Sequence, residues 1–141
     1  MMVRGEEIER LIPQRYPMVM VDEFEPIDQN NASTALTIRT DNIFVTPQGQ
    51  MPETGLIEHI AQSASALAGW NSSLQDTKEA PVGIIGEVKH FKCQRRPGAG
   101  ETIHTDICFR MSFGNVVMAY GRTSADNEVI AEADLKIFIQ Q

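Results

Sequence analysis

Alternation of apolar and polar side chains dominates the second half of the chain. Ile103, Thr105, Ile107, Phe109 and Met111 fall on one face of residues 101–111, with His104, Asp106, Cys108 and Arg110 on the other. A period of two marks a half-buried strand. Residues 128–139 repeat it, with Ala131, Ala133, Leu135, Ile137 and Ile139 set against Glu132, Asp134 and Lys136. Further strands are predicted near 83–94 and 116–124, and the turns "SFGN" and "SADNE" are short enough for hairpins. This half therefore reads as an antiparallel meander. Upstream, "MVMVDEF" (18–24) predicts a strand, Asp28–Asn31 a polar turn, and "STALTIRT" (33–40) a second strand. In "GEEIERLI" (5–12), Ile8, Leu11 and Ile12 are spaced i, i+3, i+4, the pattern of a short amphipathic helix. Pro13 ends it, and Pro17 closes the turn "PQRYP".

The period changes in "PETGLIEHIAQSASALAGW", residues 52–70, which predicts the principal helix at about five turns. Ala61, Ala64, Ala66, Ala68 and Gly69 allow strands to approach closely, and no charged face follows residue 59. Such a helix meets protein on every side. The fold class is thus α+β, with a mostly antiparallel sheet covering one long helix in a single domain, residues 1–141. One sheet of this size can hardly wrap a helix alone, so a second subunit is expected to supply part of the cover. The polar stretch "NSSLQDTKEA" (71–80) connects the helix to the meander.

Composition narrows the partners. A chain of 141 residues can hide about 70% of its unfolded surface, so a core needs no metal or disulfide. The net charge of −7 argues against general affinity for nucleic acid or anionic membranes. Cys93 and Cys108 have no C-x-x-C spacing and read as reduced strand residues. The acidic start "MMVRGEEIERLIPQ" is no signal peptide, and no run reaches about 18 apolar residues, so a cytoplasmic location is expected. Nothing calls for a cofactor or a metal.

Candidate chemistry concentrates on the helix. Glu58, Gln62, Ser65 and Gly69 are spaced i, i+4, i+7, i+11 and share one stripe, where the Gln62 amide can orient the Glu58 carboxylate. A buried carboxylate is costly and calls for a reason. One reading is catalytic; the other is a carboxylate bonded to backbone or neutralised by an arginine such as Arg15. His59 lies about 100° round the helix from Glu58, so the two point into different spaces and His59 reads as structural or inter-subunit. Gly55, near the helix start, could offer backbone N–H groups to a carbonyl oxygen, or merely permit close packing. In "KHFKCQRRPGAGE", Lys89, Lys92, Arg95 and Arg96 have no acid between them. They read either as edge-strand protection or as a landing site for an acidic or phosphate-bearing carrier.

These landmarks resemble, in order, those of one family. "LIPQRYPMVMVDEF" resembles the "L-P-H-R-Y-P-F-L-L-V-D" block of β-hydroxyacyl-acyl-carrier-protein dehydratases (FabA/FabZ-like) of the hotdog superfamily. "GLIEHIAQSASALAG" resembles their "G-V-L-I-I-E-A-M-A-Q-A-A-G" helix, and "KHFKCQRRPGAGE" their "R-F-K-R-P-V-x-P-G-D" strand and turn. The likeness spans roughly residues 8 to 139 and looks closest to dehydratase-like proteins of aryl-polyene and related pigment pathways. It implies a hotdog fold with an acyl tunnel at a dimer interface. It also implies a chemistry in which a His removes the C2 proton of a 3-hydroxyacyl thioester while a helix acid handles the 3-hydroxyl.

Glu58 is the acidic member carried over by motif, and Gln62 and His59 join it as catalytic candidates. Gly55, Leu56, Gln14 and Tyr16 become substrate-binding candidates, and Lys89, Lys92, Arg95 and Arg96 the acyl-carrier-protein surface. The implied partners are an acyl carrier protein or acyl thioester and a second copy of the chain, as a homodimer or assembly of dimers. One departure is plain. The family's loop His lies in "G-H-F-P", whereas this loop reads "FVTPQGQMPET", and Gln14 replaces the histidine of "L-P-H-R-Y-P". Glutamine is no general base. Three readings follow. The chain is a dehydratase in which the partner subunit's His59 or the partner subunit's His90 fills the missing role, a hotdog thioesterase in which Glu58 activates water, or a non-catalytic partner subunit.

Overall fold

The computed structural model describes residues 2–75 and 81–140. The chain opens with a two-residue strand β1 (Val3–Arg4) and a 3₁₀ turn (Gly5–Arg10). Strands β2 (Glu23–Asp28) and β3 (Asn31–Thr37) form a hairpin, and α1 (Glu53–Ser73) follows after a loop. Four long strands complete it: β4 (Val82–Cys93), β5 (Thr102–Phe113), β6 (Val116–Ala125) and β7 (Glu128–Gln140). Among the described residues, seven strands join one antiparallel sheet in the order β1-β2-β3-β5-β6-β7-β4. The two-residue turn Asp126–Asn127 has positive φ at both positions, the geometry that matches the twist of a tight hairpin.

The sheet wraps α1. Ile103, Ile107, Phe109, Val117, Ala119, Ala133, Leu135 and Ile137 are all buried, and Ile60, Ala61, Ala64, Ala66 and Leu67 of the helix meet them. Small residues set the approach distance. A side chain at Gly121 would collide with Ile60, and one at Gly69 with the Leu11 carbonyl backbone. Gly69 therefore packs against the 3₁₀ segment and does not extend the polar stripe.

Four sequence expectations need correction. The N-terminal turn is 3₁₀ rather than α, although Ile8, Leu11 and Ile12 are buried as the spacing implied. "MVMVDEF" enters the sheet only at Glu23, because the backbone of Met18 and Met20 bonds to α1 side chains instead of a ladder. A β-bulge between Phe109 and Met111 turns Met111 out to solvent, at 63% exposure. The helix runs three residues past Trp70, and Asp76–Ala80 of the expected polar connection lie outside the described residues.

Candidate active site

Two neighbouring residues of α1 face different environments. His59 is fully buried; its Nδ1 lies 2.6 Å from the Met20 carbonyl and its Nε2 2.8 Å from Thr105 Oγ1. A carbonyl only accepts, so Nδ1 carries the proton and Nε2 accepts from the threonine hydroxyl. Thr105 Oγ1 is in turn 2.6 Å from Thr123 Oγ1. Burial pushes the imidazole down to about 4, only partly offset by the Met20 carbonyl. His59 is therefore a neutral core residue tying α1 to the 18–22 segment and to β5. It stands away from Glu58, as the helical angle implied, and its place among the catalytic candidates is withdrawn.

Glu58 lines a cavity of about 280 Å³ with Gln14, Ala61, Gln62 and Ser65 on one side and Gly83, Ile84, Ile85 and Ile137 on the other. Gln62 uses its whole amide: Nε2 donates to Glu58 Oε2 at 2.8 Å and to the Met18 carbonyl at 2.8 Å, while Oε1 accepts from Met20 N–H at 2.7 Å. One carboxylate oxygen is thus fixed, and Oε1 has no hydrogen-bond partner among the described residues. The arginine alternative fails. Arg15 pairs with Glu9 at 3.3 Å and donates to the carbonyls of Ile12 and Gln14.

Several expected site residues are elsewhere. The Gly55 N–H donates to the Pro52 carbonyl at 3.0 Å, and a Cβ there would strike Met51, so Gly55 is a packing glycine with its donor in use. Leu56 is fully buried among Met20, Leu36, Ile38 and Ile103 and is not part of the Glu58 cavity lining. Tyr16 is 85% exposed and stands clear of the cavity. Gln14 does line it, and its Oε1 is the one buried side-chain polar atom among the described residues with no partner.

The basic run loses its isolation in space. Lys89 pairs with Glu87, Lys92 with Glu132, and Arg96 with Glu53. Arg95 meets Glu101, Asp126 and Glu128. Four cations thus face six carboxylates. The Glu53 carboxyl is held below its ordinary range by hydrogen bonding from Arg96, and Glu101 by that from Arg95. Sequence reasoning missed this because the acids arrive from β4, β7, α1, the β6–β7 turn and the residue just before β5.

The other histidines are also off the cavity. His90, at a bulge of β4 with φ 54, bonds Asp134 at 2.9 Å, and His104 is exposed. Residues missed from sequence are Ala61, Gly83, Ile84, Ile85 and Ile137; only the fold brings β4 and β7 to this face of α1. Among the described residues, no group of three or more His, Cys, Asp and Glu is arranged to hold a metal, and no helix is long and apolar enough to cross a membrane.

Known proteins share this architecture. A family model described as ApeP-like, ApeP dehydratase, matches residues 6–141. A 3-hydroxyacyl-[acyl-carrier-protein] dehydratase FabZ of Cereibacter sphaeroides is 31% identical over 135 residues, covering 90% of this chain and 84% of that protein. The FabZ of Helicobacter acinonychis is 28% identical over 146 residues, with 96% and 90% covered. Among solved structures, the dehydratase heterocomplex ApeI:P of Xenorhabdus doucetiae superposes with a TM-score of 0.88 at 18% identity, over 95% of this chain and 91% of that one. The Escherichia coli PaaI protein superposes at 0.62 with 10% identity, over 82% of each chain. At these identities the structural likeness speaks for the hotdog fold alone.

Proposed function

Because the chain belongs to the ApeP-like dehydratase family, we propose that it works on 3-hydroxyacyl thioesters carried by an acyl carrier protein, with Glu58 as the acid. The observation that carries this is the Glu58–Gln62 pair in an open cavity. In the reaction, a base removes the C2 proton and the C2–H electron pair becomes the C2–C3 double bond. The C3–O bond breaks, and the hydroxyl leaves as water after taking a proton from Glu58 Oε1. Gln62 holds Oε2, so the transferring oxygen keeps one direction through the cycle.

The base comes from a second subunit in this reading. None of the three histidines lines the cavity, and His59 has both nitrogens committed in the core. The cavity is bounded by the β4 residues Gly83, Ile84 and Ile85, on a twelve-residue strand at the end of the sheet. Val82, Ile84, Ile85 and Val88 of that strand are exposed. A long apolar edge invites strand pairing, and pairing there sets a partner beside Glu58. A relative of this fold is described as a heterocomplex, which supports a related partner over a second identical chain; in this reading that partner carries the histidine. Hydrolysis of the thioester has no observation of its own to favour it, since fold alone links this chain to thioesterases.

The test is to incubate 3-hydroxyacyl carrier-protein thioesters of several lengths with the chain alone and with a histidine-bearing hotdog dehydratase subunit, following enoyl product by mass. Product only with both subunits is expected. No product in either mixture would sink the enzyme reading, and free acid in place of enoyl product would move the chain to the thioesterases.

A further inference from the structure

The Glu58 cavity follows one face of α1. Its helix lining runs from Glu58 through Ala61 and Gln62 to Ser65, and Gly83 of β4 lies across from Ser65. A Cβ built on Gly83 would come within 2.9 Å of Ser65 Oγ, 3.3 Å of Ile137 and 3.6 Å of Ile139. The bare strand backbone thus closes directly onto the serine hydroxyl. Beyond this contact lies a second cavity of about 530 Å³, lined by Ala68 and Ser72 together with Val117 and Ile139. Ser65 and Ala68 are i, i+3 on α1, and Ile137 and Ile139 are i, i+2 on β7, so each pair shares a face. One member of each pair lines the first cavity and the other lines the second, and no described residue lines both. Gly83, in reach of both isoleucines and of Ser65, stands at the junction.

We infer that the Ser65–Gly83 contact is the floor of the acyl site, making Ser65 the residue that sets the longest acyl chain this protein takes. The inference rests on the dehydratase reading, which puts the reacting carbons beside Glu58 and the rest of the chain along α1. Ala61, Ile84, Ile85 and Ile137 give that path an apolar wall suited to methylenes. From Glu58 to Ser65 the helix rises about 10 Å. An extended alkyl chain, with bonds of about 1.5 Å at near-tetrahedral angles, advances about 1.25 Å per carbon, so roughly eight carbons fit past C3. A longer chain must crowd back into the space of about 280 Å³ or break through the floor. The barrier is thin, one hydroxymethyl group against a glycine, and a single substitution reaches it.

The experiment measures binding of 3-hydroxyhexanoyl, 3-hydroxydecanoyl and 3-hydroxytetradecanoyl N-acetylcysteamine thioesters to the full chain, and enoyl formation from each with the histidine-bearing partner present. Wild type is expected to gain affinity from hexanoyl to decanoyl, by about fourfold per buried methylene, and to gain nothing more at tetradecanoyl. Ser65→Gly removes the side chain of the floor and joins the two cavities. It should raise affinity for the tetradecanoyl thioester relative to the decanoyl by roughly tenfold or more. Ser65→Leu thickens the floor and should move the limit below decanoyl. Thermal melting checks that each variant folds, and Ser65→Ala stands in for Ser65→Gly if that glycine unfolds the helix. Affinity that keeps rising to tetradecanoyl in wild type, or a limit that neither substitution moves, overturns the inference; enoyl product from the same mixtures would leave the dehydratase reading standing. A limit that moves as stated without any enoyl product supports the floor and sinks the dehydratase reading. No saturable binding of any thioester removes both together.

Discussion

Glu58 and His59 are adjacent in sequence, lie one helix step apart, and have opposite surroundings. Every polar atom around His59 has a partner inside the core, from the Met20 carbonyl through Thr105 to Thr123. Around Glu58 the partners are incomplete: Gln62 fixes one carboxylate oxygen, and Gln14 has an acceptor with nothing to accept. A closed network confers rigidity and leaves no chemistry to offer. An open one is costly unless something from outside completes it. The contrast separates structure from function more cleanly than residue type does, since histidine is the commoner catalyst of the two.

The largest expected effect is on the open side. Glu58→Gln retains the hydrogen-bonding shape but cannot cycle a proton. Enoyl formation by the complex with a histidine-bearing partner should fall by about 10²–10⁴, while the thermal midpoint stays near wild type. Activity within a few-fold of wild type would take the acid role from Glu58.

His59→Leu should give the reverse pattern. Removing the imidazole strands the Met20 carbonyl and leaves the Thr105 hydroxyl with Thr123 alone, at a cost of about 2–4 kcal/mol in denaturant unfolding, with turnover per folded molecule unchanged. Acid supplies a finer test of the same residue. In the folded chain His59 titrates near 4 because burial disfavours the charged ring, against an ordinary value of 6.5. Above 6.5 neither state takes the proton, so this contribution is complete. As pH falls from 6.5 toward 4 the unfolded chain binds the proton first, and stability drops by up to about 3 kcal/mol. Urea midpoints measured across that window should show the loss in wild type and not in His59→Leu. An unchanged slope in the variant would locate the acid sensitivity elsewhere.

How far the sequence reaches follows from the range of the interactions. Alternation placed β5 to β7 and the small-residue run placed α1, because both patterns are written locally and answer to burial. The 18–22 segment misled for a physical reason: its apolar residues suit a strand, but its backbone is bonded by Gln62 and His59 from 39 to 44 residues away. The Gln62–Glu58 contact was legible as an i, i+4 pair, whereas the triple use of Gln62 was not. Gly69 looked like part of the polar stripe until Leu11 came to lie against it. Gly69→Ala should accordingly cost about 1–3 kcal/mol, since backbone atoms cannot step aside as a side chain can. A neutral result there would mean that the N-terminal segment packs on α1 more loosely than its buried Ile8 and Leu11 indicate.

The smallest effect is expected where the sequence looked most charged. Lys89, Lys92, Arg95 and Arg96 read as a cationic surface only while their acids are out of view; in the fold each one has a carboxylate beside it. These pairs lie at the surface, where such contacts contribute little and weaken in salt. An acidic carrier approaching this strand would meet acids as often as bases, which gives little steering. Arg96→Ala and Lys92→Ala should therefore change affinity for an acyl carrier protein by less than about fivefold, with a shallow dependence on ionic strength. Loss of carrier binding on either substitution, together with steep salt dependence, would mean that the carrier displaces Glu53 or Glu132 from its partner. The basic run would then regain the docking role its sequence suggested, with its ion pairs opening as the carrier binds.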